Sequence, residues 1–158
     1  AFSNLGEYED FLEIPIEKIF NEFLHQYKEK MNVEGVAFEL KMHSKSELIK
    51  IKQVAFLSAL SEIADNCLEA TKSAVDKQII FEVESSPQAW IFYFINSGSP
   101  IESSEKEKIF FPFYTRKKVG QGMGLGLNII RGVFENHGGS FELHETSKVT
   151  VFKGIIPK

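Results

Sequence analysis

The 158-residue sequence predicts an α/β (α+β) two-layer sandwich, one mixed sheet with helices layered on one face. Three observations predict it. Helical and strand periodicities follow one another in the order α, β, α, β, β, long loop, α, β, β. The length suits one domain with a sizeable core and is short for two. No repeat, low-complexity tract or linker divides residues 1–158, which read as a single domain.

Each element has its own reason. Ile16, Ile19, Phe20, Phe23, Leu24 and Tyr27 share one helical face, with Pro15 suited to the first turn. Val36, Phe38, Leu40 and Met42 then alternate with Glu39, Lys41 and His43, the period of a strand with one face buried. A second helix spans Gln53 to Ser73, with Leu57, Leu60, Ala64, Cys67, Leu68 and Thr71 on one side and Glu62, Asp65, Asn66 and Glu69 on the other. The apolar runs Ile79 to Val83 and Trp90 to Ile95 read as central strands of a hairpin, turning at Ser85, Ser86 and Pro87. After Asn96 the pattern breaks for about 28 residues, far beyond the usual loop of roughly 4 to 6. Helical spacing resumes through Leu127, Ile130, Phe134 and His137 and stops at Gly138 and Gly139, where a left-handed cap is easy. Strands near Phe141 to His144 and Val149 to Ile156 close the chain.

Composition excludes several classes. A formal net charge of −4 draws neither nucleic acid nor an anionic membrane to the surface, so a bound polyanion needs a local site. One cysteine, Cys67, allows no internal disulfide and no thiolate metal cluster, which fits a reducing cytosol. No run approaches the roughly 20 apolar residues of a membrane span, and the N-terminus lacks a secretion signal. The expected location is cytoplasmic, with no direct membrane contact from this domain. The chain begins at Ala1 without a methionine and reads as a piece of something longer, which can be membrane-anchored.

Three segments carry candidate chemistry. Glu62 and Asn66 stand one helical turn apart, where a carboxylate and an amide oxygen can hold a water or hydroxyl beside a hard cation. Otherwise they belong to a solvated outer face. In GQGMGLGL, Gly120, Gly122, Gly124 and Gly126 lead from the long loop into a helix, where unpaired N–H groups and the helix dipole favour phosphate. No GK[ST] ends that run, so it is not a P-loop, and no strand leads into it, so it is not a dinucleotide-binding unit. The third segment is the Asn/Ser/Gly/Pro turn NSGSPI, which directly follows the aromatic strand.

Together these segments resemble the nucleotide-binding boxes of the GHKL superfamily, the ATPases that include gyrase, the heat-shock chaperone ATPases, MutL and the histidine kinases. EIADNCLEA (Glu62–Ala70) is similar to the N box and NSGSPI (Asn96–Ile101) to the first glycine box. IFFPFYTRK (Ile109–Lys117) is similar to the F box and GMGLGL (Gly122–Leu127) to the second glycine box. NHGGSFEL (Asn136–Leu143) is similar to the tail that follows in histidine kinases. The resemblance covers roughly Leu60 to Pro157, and the F box with the second glycine box points to the catalytic and ATP-binding domain of a sensor histidine kinase.

The resemblance implies a mostly antiparallel sheet, a mobile ATP lid over about 97–123, and ATP with Mg²⁺ as cofactors. It implies that Asn66 ligates Mg²⁺ and that Glu62 is the catalytic residue polarising the nucleophile. The ATP-binding set would be Asn66, Asn96, Gly98, Ile101, Tyr114, Thr115, Arg116, Lys117, Gly122, Met123, Gly124, Leu125, Gly126, Leu127 and Thr150. Asn96 stands where an aspartate usually meets the adenine amino group, Pro100 replaces a glycine, and Glu69 replaces a lysine near the phosphates. The γ-phosphoryl group would pass to a histidine on upstream dimerisation helices, and thence to a response regulator. His25, His43, His137 and His144 do not stand in the motif of such an acceptor, so the fragment is expected to bind ATP without labelling itself. The same boxes also suit an anti-sigma-type serine kinase, or a nucleotide-gated interaction module with Asn96 and Glu69 as signs of decay.

Overall fold

A computed structural model describes residues 8–44, 46–112, 114, 126–144 and 148–158. In chain order the elements are β1 (Leu12–Pro15), α1 (Ile16–Val33), β2 (Ala37–Met42), β3 (Leu48–Ile51), α2 (Gln53–Thr71), β4 (Gln78–Ser85) and β5 (Ala89–Asn96). Two 3-10 turns, Ser103–Glu105 and Lys108–Phe110, precede α3 (Gly126–Asn136), β6 (Ser140–His144) and β7 (Thr150–Pro157). Five strands form one sheet in the order β2-β4-β5-β7-β6. Its β2–β4 pair is parallel and the other three pairs are antiparallel, the mixed and mostly antiparallel sheet expected.

The period-2 pattern of β5 explains the layering. Trp90, Phe92, Phe94 and Asn96 are buried, while Ile91, Tyr93 and Ile95 are only half-buried on the opposite side. Phe92 meets Phe20 of α1, Phe56 of α2 and Phe134 of α3, with ring centroids 6.3, 5.5 and 6.0 Å away. All three helices therefore lie on one face, and burying each such ring contributes about 1.5–3 kcal/mol.

Three elements differ from the sequence expectation. β1 and β3 pair as a separate antiparallel ribbon, with Leu12 opposite Ile51 and Pro15 opposite Leu48. Four residues each are too few for alternation to show, and the ribbon's justification is tertiary: Ile14, Ile49 and Ile51 enter the core. α2 stops at Thr71, short of Ser73, where the Thr71 hydroxyl donates to the Leu68 carbonyl and the chain turns away. α3 ends as the glycines predict. Gly138 takes a φ of 78°, and the Gly139 amide reaches back to the Phe134 carbonyl at 2.9 Å.

Candidate functional site

Glu62 and Asn66 lie on the α2 stripe that also carries Ala55 and Ala59, and those alanines pack against Val133 of α3. Small residues let the two helices approach closely. At one end of the pair, a Cβ built on Gly126 would sit 3.2 Å from Glu62 Oε2 and 3.1 Å from Asn66 Nδ2, so the first residue of α3 is held against both side chains. At the other end, beyond Asn136, His137 joins the start of α2, which means the helices run in opposite directions. Asn66 Nδ2 is buried with no partner among the described residues. A buried polar atom without a partner is rare in folded proteins, which makes this amide a candidate ligand contact. Burial first, and then the neighbouring charge of Asp65, raises the Glu62 carboxyl above its ordinary 4.5.

Asp65 has its own work. It accepts from Lys30 at 3.1 Å and lies 3.1 Å from the Tyr27 hydroxyl, which is also 3.2 Å from the Ser61 carbonyl. Burial pushes that phenol up to about 12, so it stays a neutral donor tying α1 to α2 beside the site. Glu69, which stands where the resemblance leads one to expect a lysine, ion-pairs with Lys72 at 2.9 Å.

The end of β5 forms the second wall. Asn96 is 2% exposed; its Oδ1 accepts the Gly98 amide at 2.9 Å and its Nδ2 lies 3.7 Å from Cys67 Sγ on α2. One acceptor lone pair of the amide is thereby occupied and one is left. Thr150 sits directly opposite Asn96 in the β5–β7 ladder and donates to the Ser99 carbonyl at 3.1 Å. Gly98 has no room for a side chain, since its Cβ would come 2.6 Å from the Ala70 carbonyl oxygen at the end of α2. Burial pushes the Cys67 thiol up to about 12, which makes it a packing residue rather than a nucleophile.

Ile109 and Phe110 of the aromatic box are buried, and the Arg131 guanidinium of α3 lies 3.5 Å from the Phe110 ring centroid. Tyr114 packs on the same core and donates to Glu105, while Ile101 and Leu127 are half-buried against it. Thr115, Arg116, Lys117, Gly122, Met123, Gly124 and Leu125 lie outside the described residues, as does all of 115–123 at the end of the lid expected over about 97–123. Among the described residues, then, the fold brings together Glu62, Asn66 and Gly126, and separately Asn96, Gly98 and Thr150.

Sequence reasoning missed two residues that touch α2. The Glu9 carboxylate accepts from the Val54 and Ala55 amides at 2.6 and 3.0 Å, and His137 Nε2 accepts from the Lys52 amide at 3.0 Å. The NHGG phrase marked His137 only as a helix end, and no spacing pointed to Glu9. Away from this site, His43, Glu82 and Glu84 bring three ligand atoms within 4.8 Å on the sheet's outer edge, where a 2.9 Å hydrogen bond from His43 Nε2 to Glu82 accounts for the grouping. Among the described residues no helix is long and apolar enough to cross a membrane.

Residues 51–157 match the family described as histidine kinase-, DNA gyrase B-, and HSP90-like ATPase. Sensor kinase CckA of Brucella abortus (strain 2308) is 37% identical over 81 residues, which cover 51% of this chain and 7% of CckA. Heme sensor protein HssS of Staphylococcus aureus (strain Newman) is 31% identical over 100 residues, covering 63% of this chain and 21% of HssS. The chain thus spans a small part of these curated relatives. The nucleotide-free catalytic domain of histidine kinase ThkA superposes with a TM-score of 0.84 at 28% identity, covering 94% of this chain and 98% of that one. ThkA in complex with the response regulator TrrA gives a TM-score of 0.80 at 27% identity, covering 94% and 42%. With two thirds of its length matched by the family and nearly all of it laid onto a kinase catalytic domain, the chain belongs to the histidine kinase-, DNA gyrase B-, and HSP90-like ATPases, in the histidine-kinase branch.

Proposed function

We propose that this chain is a single catalytic domain that binds Mg-ATP between α2 and α3 and transfers the γ-phosphoryl group to a histidine on upstream dimerisation helices of a longer sensor kinase. One observation carries the reading: the first residue of α3 is held against a half-buried carboxylate and an amide whose buried Nδ2 has no partner among the described residues. An amino-terminal helix end offers N–H donors and partial positive charge to phosphate, and oxygen donors with little protein coordination suit Mg²⁺. The buried Nδ2 of Asn66 would donate to a phosphate oxygen while its Oδ1 is the atom able to hold Mg²⁺, so the residues fit both groups. Bound there, Mg²⁺ would neutralise phosphate charge and hold the triphosphate for in-line transfer.

The chain's own residues would divide the work. Asn66 would hold the metal. Glu62, with its raised pKa, would orient the incoming imidazole and accept the proton it loses as the nitrogen–phosphorus bond forms. Asn96, with one acceptor position left, and Thr150 beside it would receive the adenine edge, and Gly98 lets the turn after β5 close against the end of α2. Ile101, Tyr114 and Leu127 would line the entrance, with Thr115, Arg116, Lys117 and the glycine run 122–126 closing over the phosphates. The ThkA–TrrA complex supports a response regulator as the downstream partner, and the working location would be cytoplasmic.

The test is transfer from γ-labelled ATP with Mg²⁺. The fragment alone should stay unlabelled while binding nucleotide, and acid-labile phosphate should appear on added dimerisation helices bearing the acceptor histidine. Phosphate on a partner's serine would favour the anti-sigma-type alternative. Binding with no transfer to any acceptor would favour the nucleotide-gated module.

A further inference from the structure

We propose that His137 is a positioning residue for the nucleotide site, a neutral imidazole that pins the start of α2 to the end of α3 and releases it on protonation, weakening nucleotide binding. The inference rests on the reading that nucleotide binds between these helices.

Partner chemistry fixes the state of the ring. Nδ1 lies 2.8 Å from the Val133 carbonyl, which can only accept, and Nε2 lies 3.0 Å from the Lys52 amide, which can only donate. Both contacts are satisfied by one species, the neutral tautomer with its proton on Nδ1. An imidazolium carries a proton on each nitrogen, so it would oppose the Lys52 N–H with another N–H.

The position matters because of what it joins. Lys52 is the N-cap of α2, and its amide is one of the four donors that no residue of the helix can satisfy. His137 takes that donor, and Glu9 takes the Val54 and Ala55 amides, so three amides at the amino end of α2 are capped from outside the helix. From Lys52 to Glu62 is about 15 Å along α2, and from His137 back to Gly126 about 16 Å along α3. The two helices thus run antiparallel with matched spans between clamp and site. The pair is clamped at one end by His137, packed in the middle through Ala55, Ala59 and Val133, and open at the other end onto Glu62, Asn66 and Gly126. Releasing the clamp lets α2 shift against α3 at the end where phosphate would sit.

The ring is buried among Phe11 and Phe56, with centroids 5.4 and 6.2 Å away. Burial is the leading influence and lowers its pKa below 6.5; Lys52 adds to the lowering, while the Val133 carbonyl and Glu9 oppose it. From β3, Lys50 lies over the far ring of Phe11. The release therefore belongs to mildly acidic pH.

The experiment measures Mg-ADP affinity of the 158-residue chain by calorimetry between pH 7.5 and 5. It compares the wild type with His137→Gln and His137→Ala. Wild-type affinity should fall about tenfold as the imidazole titrates, within the usual range of coupling between sites. Gln offers Oε1 to the Lys52 amide and does not titrate, so it should match the wild type at pH 7.5 and lose the added pH dependence. Ala should bind more weakly at pH 7.5, with the pH profile of Gln. Titration of ADP itself and of Glu62 is common to all three and cancels in the comparison. By reciprocity, saturating Mg-ADP should lower the NMR titration midpoint of His137 further. Identical pH profiles in wild type and Gln, with a midpoint that ADP does not move, would overturn the proposal and leave the site reading intact. No binding by the wild type at any pH would overturn both.

Discussion

At the scale of single residues, the role proposed for Glu62 is set against stability. Its carboxyl is raised by burial and by Asp65, so the folded state holds a proton more tightly than the unfolded chain does. At neutral pH that ionised group therefore weighs against folding, and the penalty disappears as pH falls through the raised folded pKa. Glu62→Gln should accordingly melt higher than the wild type at pH 7, the gain vanishing in acid, while phosphotransfer drops by about 10²–10⁴ and Mg-ADP affinity stays within twofold. Thermal melts at several pH values beside single-turnover labelling check both halves. Asn96→Asp makes the complementary case. A carboxylate can still accept the Gly98 amide and offers a stronger acceptor for an adenine amino group, so Mg-ADP should bind roughly fivefold tighter, measured by calorimetry.

At the scale of elements, the amino end of α3 brings propensity and function into conflict. Alanine is favoured over glycine in a helix by up to about 1 kcal/mol, yet a methyl at Gly126 would stand 3.1–3.2 Å from the Asn66 amide and Glu62. Gly126→Ala should therefore hold or raise the melting temperature and lower Mg-ADP affinity by about tenfold; a fall in stability with unchanged affinity would contradict the placement. The helices were legible because their apolar faces repeat over many turns, and β4 and β5 because their aromatic runs are bounded by turn residues. β1 and β3 were not, because LEIP and LIKI are four residues each and owe their strand form to one another across the chain. In the site, Glu62, Asn66 and Gly126 could be read from spacing and resemblance. The caps that Glu9 and His137 place on α2, and the Cys67 contact that orients Asn96, join residues far apart in sequence and leave no periodic trace.

At the scale of the molecule, one sheet face carries the helices and one aromatic residue ties them together. Phe92 touches α1, α2 and α3 through Phe20, Phe56 and Phe134 and lies beside Phe94 on its own strand. Phe92→Ala should cost about 3–5 kcal/mol in urea unfolding, because none of these rings belongs to a segment able to collapse into the void. Such a core is the frame on which two helices hold the Asn66 amide, unpartnered among the described residues, beside the Glu62 carboxylate. The most direct test of the account is calorimetry of Mg-ADP against this chain. The account predicts one saturable site with a Kd between about 1 µM and 1 mM, and about 2.7 kcal/mol of added stability at a hundredfold excess over Kd, both lost in Asn66→Ala. Millimolar Mg-ADP or Mg-ATP that gives no heat and no thermal shift would contradict it.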